Sequence, residues 1–195
     1  MVPELPVSKE GSNPVNYLFK SVRLGFRNWL ATDLEPMTGI NSDPVVMEFF
    51  PKVLTEKETG DFISRMQKQF IEKGFCYFAV DKLIDGRFIG FIGLSEQTFE
   101  ADFAPCVDIG WRLARDEWNQ GFASEGARRC LEYAFDELRL KKINSIAPVV
   151  NIKSEKIMLK IGLKKVKTFM HPKLLQDKRL EECVLYEITD TGYHS

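Results

Sequence analysis

The sequence predicts an α+β domain, a mostly antiparallel central sheet flanked by helices. Three observations carry this. Runs that alternate apolar and polar residues, the mark of half-buried strands, recur along the chain. Between them lie runs whose apolar residues return at spacings of three and four, as on one face of a helix. The order is strand, helices, three strands, helix, strand, helix, two strands, without the strict alternation that builds parallel sheets.

The first strand is "SVRLGFRNW", where Val22, Leu24 and Phe26 alternate with Arg23, Gly25 and Arg27. "ATDLEPMTGINSD" reads as a short helix capped near Asp33 and ending near Gly39. "SDPVVMEFFP" reads as a second helical turn, with Asp43 as N-cap and Pro44 in the first position. "LTEKETGDFISRMQKQFIEKG" is a longer helix. Thr55 and Glu58 have capping-box spacing, Phe62, Met66 and Phe70 form its buried stripe, and Gly74 closes it.

"FCYFAVDK" and "RFIGFIGLSE" form a hairpin around Asp85-Gly86. In "CVDIGWRLA", Val107, Ile109, Trp111 and Leu113 face one way, and Asp108, Gly110 and Arg112 the other. A helix follows, with Ala123, Ala127, Cys130, Leu131, Ala134, Phe135 and Leu138 on one wide face. "KINSIAPVV" is a strand and "NIKSEKIMLKIG" a helix capped by Asn151. "KKVKTFMH" and "EECVLYEIT" close the sheet, bridged by the basic stretch "PKLLQDKR".

Length and composition bound the function. A chain of 195 residues, 44% apolar and 28% charged, suits one soluble domain with a full core. No apolar run approaches the roughly 20 residues that span a bilayer. Residues 1–16 read as a flexible polar leader without a secretory apolar region, 17–190 as one domain and 191–195 as a tail, so a cytoplasmic location is expected. Cys76, Cys106, Cys130 and Cys183 are scattered, with only His171 and His194 to join them. Neither a metal site nor a disulfide framework is expected, and the thiols read as buried and inert.

The net charge is −1, yet from Arg139 to Leu180 twelve Lys and Arg face only Glu155 and Asp177. Such a stretch suits a polyanion or the phosphates of a cofactor, or is a solvated face. Its aromatic residues are not interleaved as a nucleic-acid stacking platform would require, so direct nucleic-acid binding is not expected.

Residues 118–126, "WNQGFASEG", stand where a strand gives way to a helix. A helix start carries amides without intrahelical partners and the positive end of the dipole. Gly121 offers no side chain to block approach, Ala123 is small and Ser124 adds a hydroxyl, a combination that suits a pyrophosphate. The same glycine also serves an ordinary turn. The spacing is neither that of the P-loop nor of the dinucleotide fingerprint.

Trp118-x-x-Gly121-x-Ala123 resembles motif A of the GNAT acetyltransferases, whose amides hold the pyrophosphate of acetyl-coenzyme A. With "LEYAFDELRLKKI", "NIKSEKIMLKIGL", "VRLGFRNWLATDLEPM" and "NSDPVVMEFFP", the chain resembles the RimJ/RimL-like branch from about Val22 to Ile188. The resemblance implies a GNAT-like sheet whose central strands "CVDIGWRLA" and "KINSIAPVV" splay apart. It implies that the backbone of Trp111, Arg112 and Leu113 pairs with pantetheine. Asn119, Gln120, Gly121, Phe122, Ala123 and Ser124 would then meet the pyrophosphate, with Asn151 and Ser154 adding contacts to coenzyme A.

Acyl transfer from a thioester to an amine needs an uncharged amine, a stabilised oxyanion and a proton for the departing thiolate. Asp108 is the first candidate for the base and Glu96 the second, although each also reads as a surface carboxylate. Many members of the family carry a tyrosine acid where this chain has Met158. Ser154 matches the branch's pattern and is the candidate proton donor, or simply a first-turn hydroxyl. Trp29, Phe49, Phe50 and Trp111 read as acceptor-pocket walls or as ordinary core, and Lys153, Lys156 and Lys160 as partners of the 3′-phosphate or as solvated.

The implied function is acetyl-CoA-dependent N-acetyl transfer to a primary amine, either a protein N-terminus or a small amine. It proceeds by direct attack in a ternary complex, with acetyl-CoA as co-substrate and no metal. A monomer or homodimer with no membrane partner is expected. The alternatives are a catalytically inactive GNAT-fold module that binds or senses coenzyme A, and a nucleic-acid-binding domain using the basic stretch.

Overall fold

The computed structural model describes residues 16–194. The expected leader lies almost wholly outside them. Strands β1 (Phe19–Lys20), β2 (Leu24–Arg27), β3 (Tyr77–Lys82), β4 (Phe88–Gln97) and β5 (Cys106–Leu113) run antiparallel to their neighbours in sequence order. Strand β6 (Lys142–Pro148) lies beside β5, and β8 (Glu182–Thr189) stands between β6 and β7 (Lys164–Met170), giving one eight-stranded sheet. Helices α1 (Leu34–Ser42), α2 (Glu56–Lys73), α3 (Phe122–Glu132) and α4 (Ile152–Lys160) flank it. The mostly antiparallel α+β architecture is the one the sequence predicts.

Strands β5 and β6 are the parallel exception, and they pair only at Asp108 and Asn144. Beyond that point they diverge, with Ser145 Oγ reaching across to the Ile109 carbonyl at 2.9 Å. The splay leaves the outer half of β5 without a strand on that side, although its other edge keeps full register with β4. This notch positions everything that follows.

Local chemistry sets the helices. Thr55 and Glu58 form the expected reciprocal cap of α2, and Gly74 ends it in a left-handed conformation. A cap of this kind contributes about 1 kcal/mol. Phe62 and Met66 are buried against the sheet, where Phe62 packs on Trp29 and Phe91. Helix α3 sits tightly on the opposite face: a Cβ on Gly126 would come 2.4 Å from Ile92 Cδ1. It ends in a π-type turn over Tyr133–Glu137, where the Leu138 amide reaches the Tyr133 carbonyl.

Several sequence expectations are corrected. Strand β2 is buried throughout, whereas Val22 lies outside it and is 90% exposed. The reason is Arg27, whose guanidinium meets Asp33 and Asp81 at 2.7 Å each and so enters the interior as a neutralised group. Asp33 stands at the N-cap position as expected, but its carboxylate accepts from Arg27 and the Leu30 amide instead of the first amides of the helix, which runs on through Gly39 to Ser42. Asp43 accepts the Val45 amide at 2.8 Å, but only turns follow it, not a helix. Two short elements were not foreseen, β1 and a terminal helix α5 (Asp190–Tyr193), whose Tyr193 packs on Phe135 within the stretch read as a tail.

Candidate active site

The end of β5, the loop after it, the start of α3 and the start of α4 meet around a cavity of about 480 Å³. Strand β5 supplies Trp111, Arg112 and Leu113. Asn119, Gly121, Phe122, Ala123 and Ser124 form the next wall, and Asn151 and Ser154 the third. Lys153, Lys156 and Lys160 line the same side, while Phe49 and Phe50 close the opposite one.

The start of α3 is built without a side-chain cap. Gly121 occupies the cap position at φ 82°, and no side chain accepts from the first amides. Asn119 is also left-handed, at φ 60°. Amides turned inward by such residues form an anion-binding concavity, strengthened here by the helix dipole. The loop is clamped from behind. Glu125 accepts from Ser21 Oγ, the Arg23 amide and Arg23 Nε at 2.6–2.8 Å, and Arg23 Nη1 donates to the Gln120 carbonyl. Burial raises the Glu125 carboxyl, but the bonds from Ser21 and Arg23 outweigh it and hold the group below its ordinary value. Gln120 itself turns away from the cavity and donates to the Asp116 carbonyl at 2.8 Å.

Asn151 caps α4 as expected, accepting the Ser154 amide at 3.1 Å. Ser154 lines the cavity. Met158 is buried in the core, 1% exposed, so this position offers no side-chain proton donor.

The carboxylate candidates part company. Glu96 lies at the exposed end of β4 against Lys73 at 3.4 Å. Asp108 is buried at the apex of the notch, behind the lining, and accepts from the Tyr77 hydroxyl at 2.6 Å. Burial pushes its carboxyl up to about 7, against the lowering effect of bonds from Tyr77 and the Ile146 amide. The same burial pushes the Tyr77 phenol well above its ordinary value. Tyr77 fits because Gly110 faces it: a Cβ there would meet the ring at 3.1 Å.

Sequence reasoning missed Tyr77, Asn41 and Glu117. Tyr77 sits in an alternating strand, where an aromatic residue reads as core. Glu117 lines the cavity yet is 2% exposed, paired with Lys82 and Arg87. Trp29 belongs to the core, donating to the Tyr77 carbonyl at 2.7 Å, whereas Phe49, Phe50 and Trp111 do line the cavity. Among the described residues no cluster of His, Cys, Asp and Glu can hold a metal ion, and no helix is long and apolar enough to cross a membrane.

Residues 23–164 match the family model of the acetyltransferase (GNAT) domain, nearly three quarters of the chain. The chain is a GNAT acetyltransferase. Among relatives of this acetyltransferase is the uncharacterized protein YkkB of Bacillus subtilis, 32% identical over 130 residues, 65% of this chain and 73% of that one. The uncharacterized N-acetyltransferase YnaD of the same species is 29% identical over 144 residues, 73% and 80% of the two chains. A solved acetyltransferase (GNAT family) from Bacillus anthracis superposes with a TM-score of 0.73 at 25% identity, over 88% of this acetyltransferase and 98% of that chain. GNAT acetyltransferases use acetyl-CoA, and the uncapped start of α3 with the unpaired edge of β5 suits its diphosphate and its amide-bearing arm.

Proposed function

We propose that this acetyltransferase moves the acetyl group of acetyl-coenzyme A to a primary amine in a ternary complex, in the manner of the RimJ/RimL-like branch. The acceptor is a protein N-terminus in the first instance and a small amine in the second, and the reaction belongs to the cytoplasm. One observation carries the reading. The uncapped start of α3 and the unpaired edge of β5 open into a single cavity.

The amides of Phe122, Ala123 and Ser124, with Asn119 and Gly121 shaping the turn, hold the diphosphate. The main-chain groups of Trp111, Arg112 and Leu113 pair with the amides of the arm, which removes the cost of leaving them unmatched. The bound donor supplies an acyl group activated as a thioester. Asp108, with its carboxyl near 7 and set behind the cavity lining, takes the proton of the incoming ammonium through a water. Ser154 gives a proton to the departing sulfur. Glu96 is the weaker base, since Lys73 holds it at the exposed strand end.

Direct attack is favoured over a covalent acyl-enzyme by the thiols. All four cysteines are buried. Burial pushes Cys106 up to about 11 and Cys183 up to about 12, so neither offers a thiolate at neutral pH. Release of free thiol from acetyl-CoA, followed over a panel of N-terminal peptides and small amines, tests the reading. Turnover that disappears in Asp108→Asn supports it. Coenzyme A binding with no turnover on any amine sinks it.

A further inference from the structure

Among the described residues the fully buried charges are paired, except for Asp108, which meets the Tyr77 hydroxyl and no cation, and the half-buried Arg112 is a second exception. Arg27 is matched by Asp33 and Asp81, and Glu117 by Lys82 and Arg87. Arg112 has no ion-pair partner among the described residues. Its Nη1 donates to Asn41 Oδ1 at 2.6 Å, a neutral carboxamide, and its Nε is sealed from solvent without an acceptor. The guanidinium lies over the Phe50 ring at 4.0 Å and near Phe91 at 5.4 Å. Burial pulls it down to about 10, so it is still a cation at neutral pH. Asp108 is four residues away along the same strand, about 13 Å, with Tyr77 between them, and does not neutralise it.

An arginine placed this way costs stability unless something answers its charge. Its side chain lies on the α1 and α2 face of the sheet, with Asn41 and Phe50, and not at the uncapped helix start where a diphosphate fits. Yet it lines the same cavity. A ligand entering beside Phe50 therefore meets the Arg112 charge, flanked by the Phe50 and Phe91 rings, in a cavity that Lys153, Lys156 and Lys160 also line. A single guanidinium balances one negative charge, which a carboxylate supplies in matching planar geometry.

We propose that the acceptor amine carries a carboxylate and that Arg112 recognises it. The inference rests on the proposed transfer to an amine and narrows its substrate class. The carboxylate belongs either to a free amino acid or to an acidic residue at the start of a peptide, and the two sources are separated by the choice of probes.

The test pairs each acidic acceptor with an amide that lacks every carboxylate: free alanine with alaninamide, free glutamate and aspartate with glutaminamide and asparaginamide, and C-terminally amidated peptides beginning Asp or Glu with those beginning Asn or Gln. Thiol release is measured for the unaltered protein, Arg112→Gln and Arg112→Lys, with coenzyme A affinity measured by calorimetry. Acidic members are expected to exceed their amides by about tenfold or more in kcat/KM. That ratio should fall towards one in Arg112→Gln and remain partly in Arg112→Lys, while coenzyme A affinity changes by less than about threefold. A preference among free amino acids or among peptides identifies the source.

Equal rates on acids and amides in the unaltered protein overturn the inference and leave amine acetylation standing. So does a preference that survives Arg112→Gln, or a loss of coenzyme A affinity as large as the loss of activity. If no amine turns over, binding of the acidic members is measured calorimetrically with coenzyme A present. Binding that Arg112→Gln abolishes supports the arginine's role and sinks the transfer reading, and absence of binding overturns the inference.

Discussion

The Tyr77 hydroxyl donates to Asp108 Oδ2 at 2.6 Å, across the space left by the missing side chain of Gly110. The pair joins β3 to β5 through β4 and sets the state of the proposed base. With the carboxyl near 7, the active, ionised form accumulates as pH rises through neutrality. We expect kcat/KM to climb about tenfold per pH unit below 7 and to level off above it. Asp108→Asn should lower kcat by about 100- to 10,000-fold and remove that limb. A pH profile of the two proteins on one amine checks this, and an unchanged limb in Asp108→Asn would assign it to another group.

Tyr77→Phe tests the hydrogen bond separately. The bond favours the ionised carboxylate, so its loss raises the Asp108 carboxyl further and moves the acid limb to higher pH. Activity at pH 9 should largely return while activity at pH 7 falls. A uniform loss across the pH range would show that Tyr77 acts by some other route.

The same carboxyl makes a statement about stability. Its value in the folded protein is raised above the unfolded one, so the folded state holds a proton that the unfolded chain has lost between about pH 4 and pH 7. Stability therefore falls as pH rises through that window. Asp108→Asn, which removes the ionisation, should stabilise the protein above pH 7 by up to about 4 kcal/mol, a gain that shrinks towards pH 4. Denaturant unfolding of both proteins at pH 5 and pH 8 measures it, and a gain independent of pH would point to packing instead.

Gly121→Val should abolish tight coenzyme A binding. A β-branched residue resists the left-handed φ of 82°, and its Cβ would lie 3.5 Å from Arg23 Nη2 in the clamp behind the loop, so the turn that presents the amides has to change its path. Calorimetry is expected to show a loss of about 100-fold or more, with the fold retained by circular dichroism. Retained affinity would move the diphosphate away from this loop.

Arg27→Met should be among the most damaging substitutions. It leaves Asp33 and Asp81 buried together without their cation, at a cost of about 3–5 kcal/mol. A large drop in the urea midpoint with an unchanged slope is the expected result.

Much of this molecule was legible in its residues. Thr55 with Glu58 marked the start of α2 and Gly74 its end, because capping is decided within a few neighbouring residues. Gly121 and Asn151 likewise marked the starts of α3 and α4. The burial of β2 was misread, since alternation assumes that an arginine faces water, and here Asp33, six residues on, and the distant Asp81 admit it to the core.

By itself the sequence determined the α+β class, most element positions and the small, uncapped helix start, all set by local periodicity and local hydrogen bonding. The tertiary structure alone decided which side chains answer one another's charge: Tyr77 against Asp108 from separate strands, and Asn41 with Phe50 around an Arg112 that no carboxylate meets among the described residues. The reason is that desolvation and Coulomb interaction depend on distances through space, and residues 31 or 71 positions apart carry no local signature of their meeting.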